Sequence, residues 1–375
     1  MNLDPVELTR TLIRCDTVNP PGNERRCAEI LSRLLEPQGF AVETSEFAAG
    51  RSTLVAELGL GKGLPICLTG HLDTVPLGSA SWGHDPFVAD IEGDRLFGRG
   101  SSDMKSGIAA MVSAVCELAP MIRGGSGPGV VLVLTAGEET GCEGAFHLVR
   151  DLRFKTQMGA LLVGEPTANV PLVGHKGALW LRASTTGITA HGSTPDKGVN
   201  AIYPLVTAVD RVQRYPFETG RHPAMGAPTL NVGTIRGGLN VNSVPDSASA
   251  DIDIRTVAGM EHDSLLISIG RYLGDAVRLE PFLNLDAVYT DPANPWVSRV
   301  VELVAEITGK ALTPGTADFF SDASALQAPL GQPPTVILGP GEPHMAHRTD
   351  EYCRISRIQE ATDIYIRVLR DWCRL

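Results

Sequence analysis

The sequence predicts an α/β fold in which a mainly parallel sheet forms the larger domain and a smaller α+β domain is inserted into it. Three observations predict this: the length of the chain, the alternation of helices and strands towards both ends, and a change of pattern in the middle. At 375 residues the chain exceeds the size at which one hydrophobic core usually stops growing, so two domains are expected. We place the larger domain at residues 1–174 plus 283–375 and the inserted domain at 175–282.

Helices and strands alternate on both sides of the inserted segment. Some stretches repeat apolar residues at helical spacing, and others are the short continuous apolar runs of buried strands. Strands that alternate with helices form βαβ units, so this order predicts parallel pairing. The predicted helices cover residues 5–14, 27–36, 104–118, 295–308 and 355–373, and the predicted strands cover 64–69, 130–135, 161–163 and 335–338.

The inserted segment has a different pattern, in which strands with alternating polar and apolar residues dominate. Its order resembles the β-α-β-β-α-β arrangement of a ferredoxin-like unit. The predicted strands cover residues 178–184, 229–235 and 248–255, and the predicted helices cover 200–214 and 262–273.

Composition and charge exclude several classes of protein. A formal net charge of -11 argues against nucleic-acid binding, which needs clustered basic side chains. No apolar run approaches the roughly 20 residues of a membrane-spanning helix. Asp4, Pro5 and Glu7 interrupt the place of an export signal, so we expect a cytoplasmic protein. Seven cysteines without a CxxC pair indicate reduced thiols rather than disulfides or a thiolate zinc site.

Candidate metal ligands follow the carboxyl ends of the predicted strands. His71 and Asp73 follow one strand, Glu138 and Glu139 follow the next, and Glu165 follows a third. Ligands of open α/β sheets bind outside the carboxyl ends of the strands, so these side chains are expected to converge. Because His71 and Asp73 are two residues apart, the Asp73 carboxylate is expected to accept the second imidazole N–H and fix its tautomer.

Two further candidates complete the set. His347 follows the strand at 335–338, and Asp103 lies in a Gly-rich loop where it could cap the helix beginning at residue 104. Imidazoles and carboxylates without sulfur suit zinc, cobalt or manganese. Two divalent cations repel each other unless an anion lies between them, and Asp103 is the candidate bridge.

Five segments of the sequence resemble the motifs of the M20 metallopeptidase family, in the order that the family has them. The similarity covers nearly the whole chain, and the chain resembles the acetylornithine deacetylase and succinyl-diaminopimelate desuccinylase branch of the family. The segments are Gly70-His-Leu-Asp-Thr-Val-Pro76, Gly98-Arg-Gly-Ser-Ser-Asp-Met-Lys-Ser-Gly107, Gly137-Glu-Glu139, Gly164-Glu-Pro-Thr167 and Ala346-His-Arg-Thr-Asp-Glu351.

The resemblance implies a metallohydrolase catalytic domain that holds two divalent metal ions. Zinc is the expected metal, with cobalt or manganese as alternatives. A metal-bridged water would attack the amide carbonyl. The implied general base is Glu138, and Asp73 joins it in the catalytic set. The implied ligands are His71 and Glu165 for one ion, Glu139 and His347 for the other, and Asp103 between them.

The inserted domain resembles the family's lid and dimerisation domain, most clearly at residues 187–202. The resemblance implies a homodimer joined through the lid, in which His191 reaches the active site of the partner subunit and stabilises the oxyanion. Asn242 and Arg255 match lid positions associated with polar groups and the carboxylate of the substrate.

Two points remain open within the sequence. His344 lies three residues before His347, and only its place in the motif favours the latter. The segment at 315–326 follows the family pattern loosely, with Ser321-Asp322-Ala323 as the better match, and its two phenylalanines fit either an apolar acyl group or local packing.

The expected function is hydrolysis of the amide bond of a small N-acyl amino acid, with N-acetylornithine as the first choice. Desuccinylation, hydrolysis of other N-acyl amino acids and M20 peptidase activity use the same machinery and remain alternatives. A catalytically silent dimeric binding protein is the alternative from another class, which the presence of Glu138 disfavours. A thiol or serine hydrolase lacks a recognisable nucleophile arrangement.

Overall fold

The computed structural model describes residues 3–150 and 157–375, and the chain divides into two compact units. The first unit comprises Met1–Gly174, Tyr289–Gly315 and Ser321–Leu375, and the second comprises His175–Val288 and Thr316–Phe320. The helices are α1 Pro5–Ile13, α2 Arg25–Leu35, α3 Ser106–Gly124, α4 Glu143–Arg150, α5 Ile202–Val212, α6 His262–Leu273, α7 Pro295–Thr308, α8 Ala323–Leu326 and α9 Ile355–Cys373.

The strands outnumber those that the sequence pattern predicted. They are β1 Ala41–Ala48, β2 Arg51–Leu58, β3 Ile66–His71, β4 Ile91–Glu92, β5 Arg95–Phe97, β6 Val130–Thr135, β7 Ala160–Val163, β8 Leu172–His175, β9 Gly177–Thr186, β10 Thr229–Gly237, β11 Ser247–Thr256, β12 Arg278–Leu285, β13 Val288–Tyr289, β14 Gly315–Ala317, β15 Thr335–Ile337 and β16 Tyr352–Arg354.

The central sheet of the first unit runs in the order β1-β2-β6-β3-β7-β15-β8. Its middle strands β6, β3, β7 and β15 pair in parallel, as predicted, and β6 and β3 are buried along their whole length. Continuous apolar runs such as Val130–Thr135 are typical of parallel strands covered on both faces. The parallel middle brings the carboxyl ends of β3, β6 and β7 to one edge.

The antiparallel hairpin β1–β2 at one end of this sheet was not predicted from the sequence. β1 is mostly exposed, while β2 is buried along nearly all its residues and pairs with β6. An edge strand such as β1 carries polar residues on both faces, so it gives little periodic signal. The sheet is therefore parallel in its middle and antiparallel at its edges.

Helix α3 forms much of the core of the first unit. It packs against α9 and α1, and its residues from Ile108 to Leu118 are almost all buried, together with β3 and β6 side chains. The prediction that no apolar run approaches the length of a membrane span is wrong for Ser101–Gly124, which is long and apolar enough, but 83% of its most apolar stretch is buried inside the protein. That burial is the environment of a core helix in a globular domain.

The second unit is a ferredoxin-like α+β domain, as predicted. Its antiparallel sheet has the order β10-β11-β9-β12; helix α5 packs against β9 and β11, and helix α6 packs against β12. The predicted boundary at residue 282 is wrong, because it cuts β12, which pairs with β9 along Arg278–Leu285. The unit ends at Val288 and also includes Thr316–Phe320, where Lys176 donates to Ala317 and forms an ion pair with Asp318 at 2.9 Å.

Candidate metal centre

Asp103 lies in an irregular segment, Ser101–Lys105, that precedes helix α3. The backbone at Asp103 and Met104 is not helical, and the helix begins at Ser106, where no side chain in the described part of the chain caps it. The prediction that Asp103 caps this helix is therefore wrong. The Asp103 carboxylate is instead available to the other side chains of the site.

Two imidazoles flank the Asp103 carboxylate. His71 Nε2 lies 3.0 Å from Asp103 Oδ1, and His347 Nε2 lies 3.3 Å from Asp103 Oδ2. His71 is the last residue of β3 and is fully buried, whereas His347 is half exposed and has a positive φ of 63° in the loop after β15. One carboxylate thus joins side chains that are far apart in the sequence.

Three glutamates surround this trio. Glu165 Oε2 lies 3.8 Å from His71 Nε2, and Glu139 Oε2 lies 3.3 Å from His347 Nε2. Glu138 has an oxygen within 4.8 Å of ligand atoms of both His71 and Glu139. The clusters whose ligand atoms lie within that distance of one another are His71, Asp103 and Glu165; Asp103, Glu139 and His347; and His71, Glu138 and Glu139.

The Glu138–Glu139 turn begins at Gly137, whose φ of 74° is in the left-handed region that favours glycine. The Asp73 carboxylate holds this turn: Oδ1 accepts the Glu138 N–H at 3.1 Å and Oδ2 accepts the Glu139 N–H at 3.2 Å. Asn19 also donates to Asp73 Oδ2 at 2.9 Å. These bonds fix the backbone of both adjacent glutamates.

The predicted partner of His71 is corrected by the structure. His71 Nδ1 lies 2.9 Å from the backbone oxygen of Asp73 and 3.7 Å from its carboxylate oxygen Oδ1. The backbone oxygen is the acceptor, because the carboxylate is occupied by the backbone of the glutamate turn. The tautomer of His71 is still fixed, with Nε2 directed at Asp103.

The choice between the two histidines of the last loop follows from their contacts. His344 lies 3.8 Å from Glu342 Oε2 and 3.5 Å from the hydroxyl of Tyr352, and it is exposed. His347, not His344, meets Asp103 and Glu139.

Burial and charge oppose each other at the imidazoles. Burial lowers the pKa of His71, but the carboxylates of Glu165 and Asp103 outweigh it and raise the pKa well above its usual value. Hydrogen bonds to Asp103 and Glu139 raise the pKa of His347 to about 10. Without cations, the surrounding carboxylates therefore favour the protonated form of both imidazoles.

The carboxylates divide into two groups. Burial raises the pKa of Glu138 well above its usual value and that of Glu165 to about 7. Burial also acts on Asp103, but hydrogen bonds from His347 and His71 outweigh it and lower its pKa. Asp103 therefore stays charged between the imidazoles, whereas Glu138 holds a proton readily.

These residues fit divalent cations. The donors are oxygen and nitrogen, which suit zinc, cobalt and manganese. Among the described residues, the buried atom Glu139 Oε1 has no hydrogen-bond partner, and a buried polar atom left in this way is costly unless a ligand meets it. The side chains that would hold cations are therefore His71, Asp103, Glu139, Glu165 and His347.

The predicted catalytic residue His191 and the two predicted substrate-binding residues of the second unit have contacts within that unit. Residue His191 pairs with Ser243 in an isolated bridge, and Gly192 donates to the backbone oxygen of Asn242 at 2.8 Å, so His191 and Asn242 are neighbours. Arg255 lies 3.0 Å from Asp253 and 5.7 Å from the centre of the Phe320 ring.

Some residues of the first unit were not assigned a role from the sequence. Asn19 is buried and bridges Asp73 and the Thr140 hydroxyl. Asp322 is buried, accepts a hydrogen bond from Thr135, and burial raises its pKa to about 6. The sequence offered one signal for Asn19, a polar residue beside Pro20 and Pro21. The contacts of Asp322 could not be predicted from the sequence, because they depend on the fold.

Comparison with known proteins agrees with this geometry. The sequence profile of peptidase family M20/M25/M40 matches residues 67–371. An acetylornithine deacetylase of Vibrio atlanticus is 28% identical, with 98% of each chain covered. A probable succinyl-diaminopimelate desuccinylase of Staphylococcus epidermidis is 29% identical, with 96% of each chain covered.

A solved structure with the same fold is an M20-family metallo-carboxypeptidase from Sulfolobus solfataricus. It superposes with a TM-score of 0.81 at 17% sequence identity and covers 99% of this chain and 100% of its own. The profile match spans well over half of the residues, and it includes every side chain of the clusters described above. The chain belongs to peptidase family M20/M25/M40 and is a metal-dependent amidohydrolase.

Proposed function

We propose that this enzyme hydrolyses the amide bond of an N-acyl amino acid, with N-acetylornithine as the first candidate, at a pair of divalent cations. The observation that carries the proposal is the place of Asp103, whose two oxygens lie 3.0 Å from His71 and 3.3 Å from His347. A carboxylate that faces two separate sets of ligands is suited to bridge two cations.

The assignment of ligands follows from the two clusters that share Asp103. His71 and Glu165 would complete one cation site, and Glu139 and His347 would complete the other. Together with Glu138, the site contains four carboxylates in a buried setting, and two divalent cations match that charge. Zinc is the first choice of metal, with cobalt and manganese as alternatives.

Glu138 is proposed as the general base. Bound cations would polarise the scissile carbonyl and lower the pKa of water. Glu138 is buried and belongs to the cluster with His71 and Glu139, and burial raises the pKa of its carboxyl well above the usual value. A carboxylate in that setting takes a proton from the attacking water and returns it to the leaving amine. Asp73 supports this step by holding the Glu138 backbone.

His191 is proposed to stabilise the oxyanion. Its Nδ1 accepts the backbone N–H of Ser193 at 3.2 Å, so the neutral imidazole carries its proton on Nε2 and presents a donor there. Asn242, beside it, is proposed to bind polar groups of the substrate. Arg255, held by Asp253, is proposed to bind the substrate carboxylate, a planar anion that a guanidinium matches.

The substrate class is supported by the relatives. The Vibrio and Staphylococcus proteins are named for the removal of an acetyl or a succinyl group from an amino acid. Both kinds of substrate carry a carboxylate and a linear amide, the groups that a guanidinium and a cation pair recognise. The choice between acetyl and succinyl depends on contacts to the acyl group.

The test of the mechanism compares two adjacent glutamates. Glu138→Gln is expected to retain two equivalents of metal and to lose about 10²–10⁴-fold in kcat, because it removes a general base. Glu139→Gln is expected to lose metal itself, as measured by elemental analysis after dialysis. Retained turnover in Glu138→Gln would refute its role, and metal-independent activity in a chelated enzyme would refute the cation pair.

The test of the substrate is a panel assay. N-acetylornithine, N-succinyl-diaminopimelate, other N-acetyl amino acids and dipeptides are compared by kcat/KM with zinc, cobalt and manganese. We expect N-acetylornithine to give the highest value. A higher value for a succinyl or dipeptide substrate would move the assignment to that activity while leaving the site unchanged.

A further inference from the structure

A buried glutamate lies four residues after His347. Glu351 is fully buried, and its carboxylate accepts four hydrogen bonds in total. Oε2 accepts from Arg99 at 2.7 Å and from the Gly100 N–H at 2.9 Å. Oε1 accepts from the N–H groups of Ser102 at 2.8 Å and Asp103 at 2.9 Å. One side chain thus holds the whole backbone segment that presents Asp103.

That segment needs an acceptor from elsewhere. Asp103 has φ −119° and ψ 92°, and Met104 has φ −136° and ψ 31°, so the chain does not continue a helical ladder there. Buried backbone N–H groups outside a ladder require another acceptor. Glu351 provides it.

Arg99 extends the connection to the residue next to His347. Its guanidinium is 1% exposed, and Nη1 also donates to the backbone oxygen of Arg348 at 3.3 Å. Nη2 donates to the backbone oxygen of Pro76 at 3.1 Å. Arg99 therefore ties the Asp103 segment to the His347 loop and to the segment that follows Asp73.

We propose that Glu351 is a positioning residue, which together with Arg99 sets the spacing between Asp103 and His347. The carboxylate fixes the Asp103 backbone, and the same short stretch of chain carries His347. This inference rests on the proposed cation pair, because its consequence is the affinity of the cation held by Asp103, Glu139 and His347. Neither Glu351 nor Arg99 belongs to the clusters of candidate ligands.

The experiment is a titration of metal-stripped protein. Wild type is expected to bind two equivalents of zinc by calorimetry and to give a cobalt spectrum for both sites. In Glu351→Gln, the amide offers one acceptor and turns an NH2 group towards backbone donors. The dissociation constant of the second equivalent is expected to rise about 10–100-fold, with a changed cobalt spectrum, as for other partners that orient ligands.

Glu24→Gln is the matched control. Glu24 is also a fully buried carboxylate paired with an arginine, Arg51, at 2.9 Å. Its loss is expected to lower the melting temperature and to leave both zinc affinities unchanged. A purely structural role for Glu351 would give this same result.

The outcomes separate the two proposals. Wild type that binds fewer than two equivalents would refute the cation pair. If wild type binds two equivalents and the Glu351→Gln variant shows the same zinc affinity and cobalt spectrum, the role of Glu351 is overturned and the cation pair is retained. If Glu351→Gln does not fold, Arg99→Lys is used as the test instead. Lysine keeps the positive charge but cannot reach Arg348, Pro76 and Glu351 together. Unchanged second-site affinity in Arg99→Lys would then overturn the inference.

Discussion

At the scale of single residues, the site depends on carboxylates that hold backbone groups as much as on those that face the imidazoles. Asp73 accepts the N–H groups of both Glu138 and Glu139, and Glu351 accepts that of Asp103. Backbone N–H groups are fixed in number and direction, so such a carboxylate orients a neighbouring side chain without touching it.

Replacing Asp73 by asparagine tests this arrangement. Asparagine has one acceptor oxygen, so one backbone N–H of the turn and the Asn19 amide lose their partner. We expect zinc affinity to fall about 10–100-fold, with a parallel fall in kcat. Asp291→Asn is the control, because Asp291 accepts the Ala293 N–H in an exposed turn, and it is expected to change neither quantity. Wild-type zinc affinity in Asp73→Asn would contradict the prediction.

Protons and cations compete for the same imidazoles. In the metal-free protein the pKa of His347 is raised to about 10, from 6.5, and burial raises that of Glu165 to about 7, from 4.5. Both groups bind protons more tightly in the folded state. Their contribution to the stability of the folded protein is fully present when the pH is below the pKa of each group in the unfolded chain. It is lost as the pH rises through the pKa of each group in the folded protein.

We therefore expect metal-free protein to lose stability as pH rises from about 5 to 9, in line with the general linkage of proton binding and folding. Metal binding displaces these protons, so zinc should stabilise the protein more at pH 9 than at pH 6. Melting temperatures with zinc and with excess chelator, measured across this range, check the prediction. A difference between the two curves that shrinks as pH rises would contradict it.

At the scale of elements, the site requires helix α3 and strand β7 to approach closely. A Cβ atom on Gly107, in the first turn of α3, would lie 2.2 Å from the backbone oxygen of Gly164, which precedes Glu165. Only glycine permits this approach, which brings Glu165 to His71.

Substitution of Gly107 by alanine would push the helix and the strand end apart. We expect a loss of about 1–3 kcal/mol in the free energy of unfolding, by overpacking, together with weaker zinc binding. Gly124→Ala is the control in the same helix, because no atom of the residues that the structure describes lies within 4 Å of its added Cβ. That control is expected to be neutral or to gain up to about 1 kcal/mol. Denaturant unfolding checks both, and equal effects of the two would refute the argument.

At the scale of the whole molecule, we propose a homodimer joined through the second unit. β10 is an edge strand of its sheet, and Ile235 on it is 54% exposed. Beyond its end, Leu239 and Val241 are fully exposed, and Tyr203 and Val206 on α5 are also exposed. An open edge with apolar side chains is a site for pairing with a second chain.

Light scattering after gel filtration tests the dimer. Wild type is expected at twice the chain mass of 39.9 kDa, and Ile235→Lys at the monomer mass. Ile267→Lys is the control, because Ile267 has the same 54% exposure but lies on α6, which packs beside β12 at the opposite edge. A wild-type monomer, or equal dissociation by both variants, would refute this interface.

Much of the fold followed from local pattern. Helices α6, α7 and α9 begin and end where the sequence predicted, because their ends carry clear signals such as the Asn294 cap and Gly309 after α7. Strand β1 and the domain boundary near β12 could not be predicted from local pattern, because an edge strand and a domain boundary depend on which distant residues pair.

The sequence by itself determined which side chains follow the strands, and hence which imidazoles and carboxylates are placed at one edge of the sheet. The sequence favoured His347 over His344 by its place in a motif, and only the tertiary structure decided that Asp73 holds the glutamate turn rather than the imidazole. The physical reason is that the order of strands fixes where a segment ends, whereas hydrogen-bond partners depend on loop backbones that the rest of the fold holds in place.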